Sequence, residues 1–205
     1  MKAVIICDGR PPTKQQIEEE LRDATLFIAA DGGAAIAHQF GLIPDTIIGD
    51  MDSYEPLNKE REKTIIDPDQ ETNDLEKALH YAKNKTVKFI VVFGATGKRM
   101  DHSLKNLSVL KQFNSQFAEI IFKDTYSDIQ LIHSPFKTEV EPGTSISLFP
   151  LSGKVDGITT KGLKYPLQNG VLQNGVHDGS SNEAVEEIVE IEFKKGDLLY
   201  FKNHK

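Results

Sequence analysis

The chain has 205 residues, 39% of them hydrophobic and 27% charged, with a formal net charge of −7. That composition suits a cored protein of one or two domains, and the acidic balance disfavours a general grip on nucleic acid, which needs a basic face. One cysteine, Cys7, excludes an internal disulfide and fits a reducing compartment. No apolar run approaches the ~20 residues of a membrane span. The short apolar N-terminus, ended by Asp8, is no signal peptide. The expectation is a soluble cytoplasmic protein without membrane or nucleic-acid partners.

The first ~125 residues alternate strand-like and helix-like patterns, as a sheet with helical crossovers requires. Predicted strands are Ala3–Cys7, Leu26–Ala30, Thr46–Ile48, Thr64–Ile66, Phe89–Phe93 and Glu119–Phe122. They are short and rich in Ile, Val and Phe, as strands covered on both faces are. Predicted helices are Thr13–Ala24, Gly33–Phe40, Asn73–Ala82 and Asp101–Phe113, the last two with a leucine-rich stripe. After a junction at Asp124–Pro135, with Ile129–Ile132 a connecting strand, the pattern changes. From about Thr138, Gly and Pro punctuate short alternating runs: Ser145–Phe149, Gly157–Thr160, Val171–Leu172, Val185–Phe193 and Asp197–Phe201. These predict an all-β module, a sandwich or partial barrel. Gly175–Ser181 reads as a mobile loop. The domains fall at 1–128 and 129–205.

Most strands of the first half end at an aspartate: Asp8, Asp31, Asp50, Asp67 and Asp124. If those strands are parallel, the aspartates line the carboxyl edge of the sheet, where open α/β sheets bind ligands. Asp8, Asp67 and Asp124 read as turn or cap residues. Gly49-Asp50-Met51-Asp52-Ser53 is different. Two carboxylates one residue apart at a strand end repel each other, and a divalent cation resolves that conflict.

Three further segments join this edge. In Asp31-Gly32-Gly33 a carboxylate and two glycines open a helix, where free N–H groups can meet an anion. Asp69-Gln70-Glu71-Thr72-Asn73-Asp74 combines a helix cap, Thr72 or Asn73, with more carboxylate and amide groups than capping needs. Gly94-Ala95-Thr96-Gly97-Lys98-Arg99-Met100-Asp101-His102 sets two glycines, Thr96 and two cations before a helix, an anion cradle in which Arg99 can hold two oxygens at once. Its glycine spacing and the Arg after Lys98 exclude a Walker A loop. Asp101 reads as metal ligand, general base or helix cap. His38, His80 and His133 are isolated, and no His/Cys cluster suggests zinc.

In order along the chain, Asp31-Gly32-Gly33-Ala34, Gly49-Asp50-Met51-Asp52-Ser53, Asp69-Gln70 through Asn73-Asp74-Leu75-Glu76, Gly94-Ala95-Thr96-Gly97 with Arg99, Asp101 and His102, and Ser181-Asn182-Glu183 together resemble the thiamin pyrophosphokinase family. The resemblance covers nearly the whole chain. It implies an N-terminal, mostly parallel α/β domain and a C-terminal β-sandwich for thiamin binding and dimerisation. It further implies a homodimer with sites at the subunit interface, and transfer of the terminal diphosphate of ATP to the hydroxyl of thiamin. It makes Asp50, Asp52, Asp74 and Asp101 catalytic, with Asp50, Asp52 and Asp74 holding Mg²⁺. Asp31, Gly32, Gln70, Asn73, Gly94, Thr96, Lys98 and Arg99 would face ATP, and Ser181 and Asn182 would contact thiamin. The chain departs from the family pattern at Lys98, where a second glycine is usual, at Asn73, where Thr is common, and in having no tryptophan. A haloacid dehalogenase-like phosphatase is the competing enzyme reading. It needs Asp-x-Asp after the first strand and Thr or Val at position 54, where this chain has Tyr. A nucleotide- or thiamin-binding sensor without turnover is the non-enzymatic alternative.

Overall fold

The computed structural model describes residues 1–204. The chain divides into two compact units, Met1–Thr125 and Tyr126–Lys205.

The first unit is an α/β sheet. Its strands are β1 (Lys2–Ile6), β2 (Leu26–Ala30), β3 (Thr46–Gly49), β4 (Thr64–Ile66), β5 (Phe89–Phe93) and β6 (Glu119–Lys123). Their order is β6-β5-β1-β2-β3-β4, and every neighbouring pair is parallel. The helices are α1 (Lys14–Leu21), α2 (Gly33–Gln39), α3 (Asp74–Asn84) and α4 (Met100–Phe113). Apolar residues drive this arrangement: Ala3 to Ile6, Ile28, Ala29, Val92 and Phe93 are at or near zero exposure. A continuous apolar strand gains only if both faces are covered, and the crossover helices supply that cover. Local chemistry marks the helix starts. Thr13 accepts from the Gln16 N–H at 3.2 Å and Asn73 from the Glu76 N–H at 2.9 Å, each satisfying an orphan donor of a first turn.

The order of strands fixes where a ligand can go. From β1 the chain proceeds outward through β2, β3 and β4, then crosses back over α3 to β5 on the other side of β1. The β1/β5 junction is therefore the topological switch point, and a crevice opens beyond the carboxyl ends there.

The second unit has two antiparallel sheets. One contains β7 (Ser127–Ile132), β9 (Ser145–Pro150), β12 (Gly179–Glu183) and β14 (Leu198–Asn203), in the order β12-β9-β14-β7. The other contains β8 (Phe136–Glu139), β10 (Lys154–Lys161), β11 (Gly170–Gln173) and β13 (Ile188–Glu192), in the order β11-β10-β13-β8. Alternate residues of both sheets, among them Ile146, Leu148, Ile158, Leu172, Val189, Ile191 and Leu198, share one buried core. That is a β-sandwich.

Three details correct the sequence reading. The segment read as a mobile loop, Gly175–Ser181, runs into a strand: Gly179, Asn182 and Glu183 pair with Leu148, Ile146 and Ser145 of β9 across an irregular register. The Val185–Phe193 run contributes only Ile188–Glu192 to its sheet, and the β pattern begins at Phe136, before Thr138. Residues Asn58–Lys63 form a 3-10 turn that no periodicity announced. Among the described residues no helix is long and apolar enough to cross a membrane.

Candidate active site

The loops after β1 and β5 are laced together at the switch point. The Cys7 N–H donates to the Phe93 carbonyl at 2.8 Å, Gly9 to Gly94 at 2.9 Å and Arg10 to Thr96 at 2.7 Å. Glycine is required on both sides. A Cβ on Gly9 would meet the Gly94 carbonyl oxygen at 2.2 Å, and Gly94 has φ +67° with the Cys7 carbonyl oxygen 2.2 Å from where its Cβ would stand. Beyond this lacing lies a cavity of about 360 Å³, lined by residues that follow β1, β2, β3 and β5 and by the starts of α3 and α4.

Three carboxylates converge on it. One oxygen each of Asp31, Asp50 and Asp74 lie within 4.8 Å of one another. Asp31 is only 2% exposed, and its Oδ1 is buried without a hydrogen-bond partner, while its Oδ2 accepts from the Ser53 N–H at 3.1 Å. Burial raises the Asp31 carboxyl to about 6, with the Asp74 charge adding to the rise against the opposing Ser53 N–H. Asp74 is also raised: burial comes first and, with smaller contributions from the Asp50 and Asp52 charges, outweighs the relief from Lys77. Asp50 is held low by the Gln70 side-chain amide at 3.1 Å and the Asp52 N–H at 3.2 Å. Three crowded oxygens, on a set of carboxylates that includes the unpartnered buried Oδ1 of Asp31, fit a divalent cation whose charge offsets their repulsion. The backbone is strained on either side. Asp31 has φ +39° and Met51 φ +64°, values a non-glycine residue adopts only when its surroundings insist.

The family resemblance implies Asp52, with Asp50 and Asp74, as metal ligands. Among the described residues, the three carboxylates whose oxygens cluster are Asp31, Asp50 and Asp74. Asp52 lines the same cavity, but its carboxylate accepts from the Ser53 hydroxyl at 2.7 Å. Gly32, Gly94, Lys98 and Arg99 all line the cavity. Lys98 is paired with Asp8 at 2.7 Å and has φ +53°, the left-handed conformation in which glycine is easiest. Arg99 forms a forked pair with Asp101, Nε to Oδ1 at 3.1 Å and a second, shorter contact from Nη2. That cation holds Asp101 below the usual carboxylate range. Arg99, not Asp101, occupies the cap position of α4. Thr96 faces Asp124, its hydroxyl donating at 3.2 Å.

Asn73 is the cap of α3, and its side-chain amide also donates to Asn106 Oδ1 at 2.8 Å. Asn106 in turn donates to the Ala95 carbonyl at 2.7 Å. The start of α3, the body of α4 and the glycine loop are thereby tied together.

Several site residues carry no sequence signal of their own. Asp8 read as a turn residue, yet it lines the cavity and holds Lys98. Lys77 sits in an ordinary helical stripe, but its side chain is 2% exposed and its Nζ reaches the Asp67 carbonyl at 2.8 Å and Asp74 Oδ1 at 3.6 Å. Only spacing could have hinted at it, three residues after Asp74 on one helix face.

In the second unit, Ser181 and Asn182 lie on β12. Ser181 has φ +60°, and its N–H donates to the Ser147 hydroxyl at 3.0 Å. Asn182 clamps Tyr165, accepting from its N–H at 3.1 Å and donating to its carbonyl at 2.8 Å. It borders a cavity of about 270 Å³ whose walls include Leu148, Leu172, His177 and Asp178.

A parallel α/β sheet that gathers carboxylates and a glycine-rich, basic loop at its switch point suits a phosphate-handling enzyme. The profile described as thiamin pyrophosphokinase, catalytic domain, matches residues 17–122, and that described as thiamin pyrophosphokinase, vitamin B1 binding domain, matches residues 133–198. The chain is 30% identical over 213 residues to the thiamine pyrophosphokinase of Bacillus subtilis, covering 99% of each chain. It is 31% identical over 209 residues to thiamine pyrophosphokinase 2 of Arabidopsis thaliana, covering 86% of this chain and 77% of that one. The solved B. subtilis enzyme superposes with a TM-score of 0.84 at 27% identity over 99% of both chains. The Candida albicans thiamin pyrophosphokinase shares the fold, with a TM-score of 0.85 at 20% identity over 99% of this chain and 89% of that one. The chain belongs to the thiamin pyrophosphokinase family. The dehalogenase-like phosphatase reading is set aside, since Asp50 follows the third strand and the matching profiles are of another family.

Proposed function

We propose that the protein transfers the terminal diphosphate of ATP to the hydroxyl of thiamin, giving thiamin diphosphate and AMP. The observation that carries this reading is the trio of Asp31, Asp50 and Asp74 beside the laced glycine loop at the switch point. Diphosphoryl transfer asks a protein mostly for positioning and for neutralising negative charge. Asp31, Asp50 and Asp74 would hold Mg²⁺, with Asp52 beside them. When bound, the cation supplies the positive charge that the polyphosphate needs to approach these carboxylates. The loop Gly94–Lys98 receives phosphate oxygens on its backbone, and Lys98 and Arg99 stand at the cavity wall to meet the charge of the leaving AMP. Gln70 fixes the direction of Asp50. The Arg99–Asp101 pair holds the guanidinium at the head of α4. Ser181 and Asn182 belong to the thiamin-recognising β unit, and an acidic protein suits a cationic acceptor. We expect the active form to be a homodimer.

Purified protein given Mg²⁺, ATP and thiamin should produce AMP and thiamin diphosphate in equal amounts. Formation of ADP, or of inorganic phosphate without thiamin, would overturn the reading. Asp50→Asn should lower turnover by orders of magnitude in a folded protein.

A further inference from the structure

Glu60 lies in the run Asn-Lys-Glu-Arg-Glu-Lys, which reads as solvated surface, yet it is 1% exposed. A buried carboxylate is costly unless its oxygens find partners; here Oε2 is hydrogen-bonded, while Oε1 and His38 Nε2 face each other closely with no hydrogen bond between them. Oε2 accepts from the Tyr54 hydroxyl at 2.6 Å and the Leu57 N–H at 3.0 Å, and Oε1 stands 2.6 Å from His38 Nε2. The Tyr54 hydroxyl also reaches His38 Nδ1 at 3.3 Å, and the two rings meet edge to face. Burial alone would raise the Glu60 carboxyl, but these donors outweigh it and hold the group low. None of the three residues lines the cavity.

The hub grips two segments. His38 belongs to α2, which begins two residues after Asp31; Tyr54 follows Asp50-Met51-Asp52-Ser53 directly. Those segments meet at the cavity through the Ser53 N–H on Asp31 Oδ2. Each also carries a strained residue, Asp31 and Met51. Strain of this kind persists only where the surroundings over-determine the backbone, and the hub is the fastening on both sides.

We infer that Glu60, acting through Tyr54 and His38, is the positioning residue that keeps Asp31 and the Asp50–Ser53 loop in register for cation binding. This rests on the cation reading given above. The test is a Mn²⁺ titration of the full chain at 25 °C, followed by electron paramagnetic resonance of the free ion, with thermal melting in parallel. Wild type is compared with Glu60→Gln, Tyr54→Phe, Asp50→Asn and a core variant of the second unit, Ile191→Val. Partners that orient ligands typically change metal affinity by about tenfold or more, so Tyr54→Phe and Glu60→Gln should weaken Mn²⁺ by about that factor while still folded. Ile191→Val should lower the melting midpoint and leave Mn²⁺ affinity unchanged. If both hub variants bind Mn²⁺ within about twofold of wild type, well inside the expected range, the inference is wrong. If Glu60→Gln does not fold, Tyr54→Phe decides alone. If wild type and Asp50→Asn bind Mn²⁺ alike, the cation reading fails and takes this inference with it.

Discussion

Gly49 and Asp31 touch through a space that only hydrogen can fill. A Cβ on Gly49 would lie 2.7 Å from the Asp31 Cβ and 3.0 Å from Asp74 Oδ1. Two members of the carboxylate trio are therefore seated against one glycine at the end of β3. Gly49→Ala should force them apart at an overpacking cost of about 1–3 kcal/mol, leaving a folded protein with impaired cation binding. Mn²⁺ titration beside thermal melting checks this, and unchanged affinity in the folded variant would contradict it.

Gly94 and Gly41 make a matched pair for the switch point. Both have positive φ, +67° and +72°, but nothing lies within 4 Å of a Cβ on Gly41, whereas on Gly94 it would strike the Cys7 carbonyl oxygen. Gly41→Ala should cost only the left-handed strain, about 1 kcal/mol. Gly94→Ala adds a backbone collision and should cost at least about 3 kcal/mol. Urea denaturation of the two variants measures the difference; equal costs would mean that the lacing of β1 and β5 relaxes freely.

The Asp31 carboxyl gives the metal-free protein an unusual pH response. Its folded value is about 6, against about 3.9 in an unfolded chain. Between those values the native state binds the extra proton, so this group makes stability fall as pH rises from about 4 to about 6. Asp31→Asn should remove that decline, and Asp74, also raised, acts in the same direction. Denaturation curves across that window, taken in a chelator, show the slope. A wild-type slope identical to that of Asp31→Asn would refute the assignment.

Cys7 is buried at the head of the cavity wall, and burial, with smaller contributions from Asp74 and Asp8, pushes its thiol up strongly. The thiolate is the reactive form. Ellman's reagent at pH 8 should therefore leave the native protein unlabelled and label one thiol per chain in urea. Rapid labelling of the native protein would show that the β1 end opens readily.

Much of the first unit could be read from the chain because its strands are apolar on both sides and two of its helices, α1 and α3, carry capping side chains. Leu26–Ala30, Thr64–Ile66 and Phe89–Phe93 match the observed bounds for that reason. β12 escaped because Gly-Ser-Ser-Asn-Glu offers no apolar alternation; its strand rests on backbone pairing with β9. The Asp50–Asp52 pair suggested a cation site, but not that an Asp31 oxygen would cluster with Asp50 and Asp74, since a turn decides that and its positive-φ dihedrals leave no periodic trace. Asp8 and Lys77 acquire their places from strand order and burial. Glu60 shows the limit most clearly, as a charged residue in a charged run whose interior position depends on partners at positions 38, 54 and 57.

The double use of Asn73 has a consequence for redesign. Threonine at that position could cap α3 but has no amide to offer Asn106, whose own amide fastens the Ala95 loop. Positions 73 and 106 are thus one mutational unit. Asn73→Thr alone should slacken the glycine loop, because it leaves Asn106 Oδ1 without the donor that orients it.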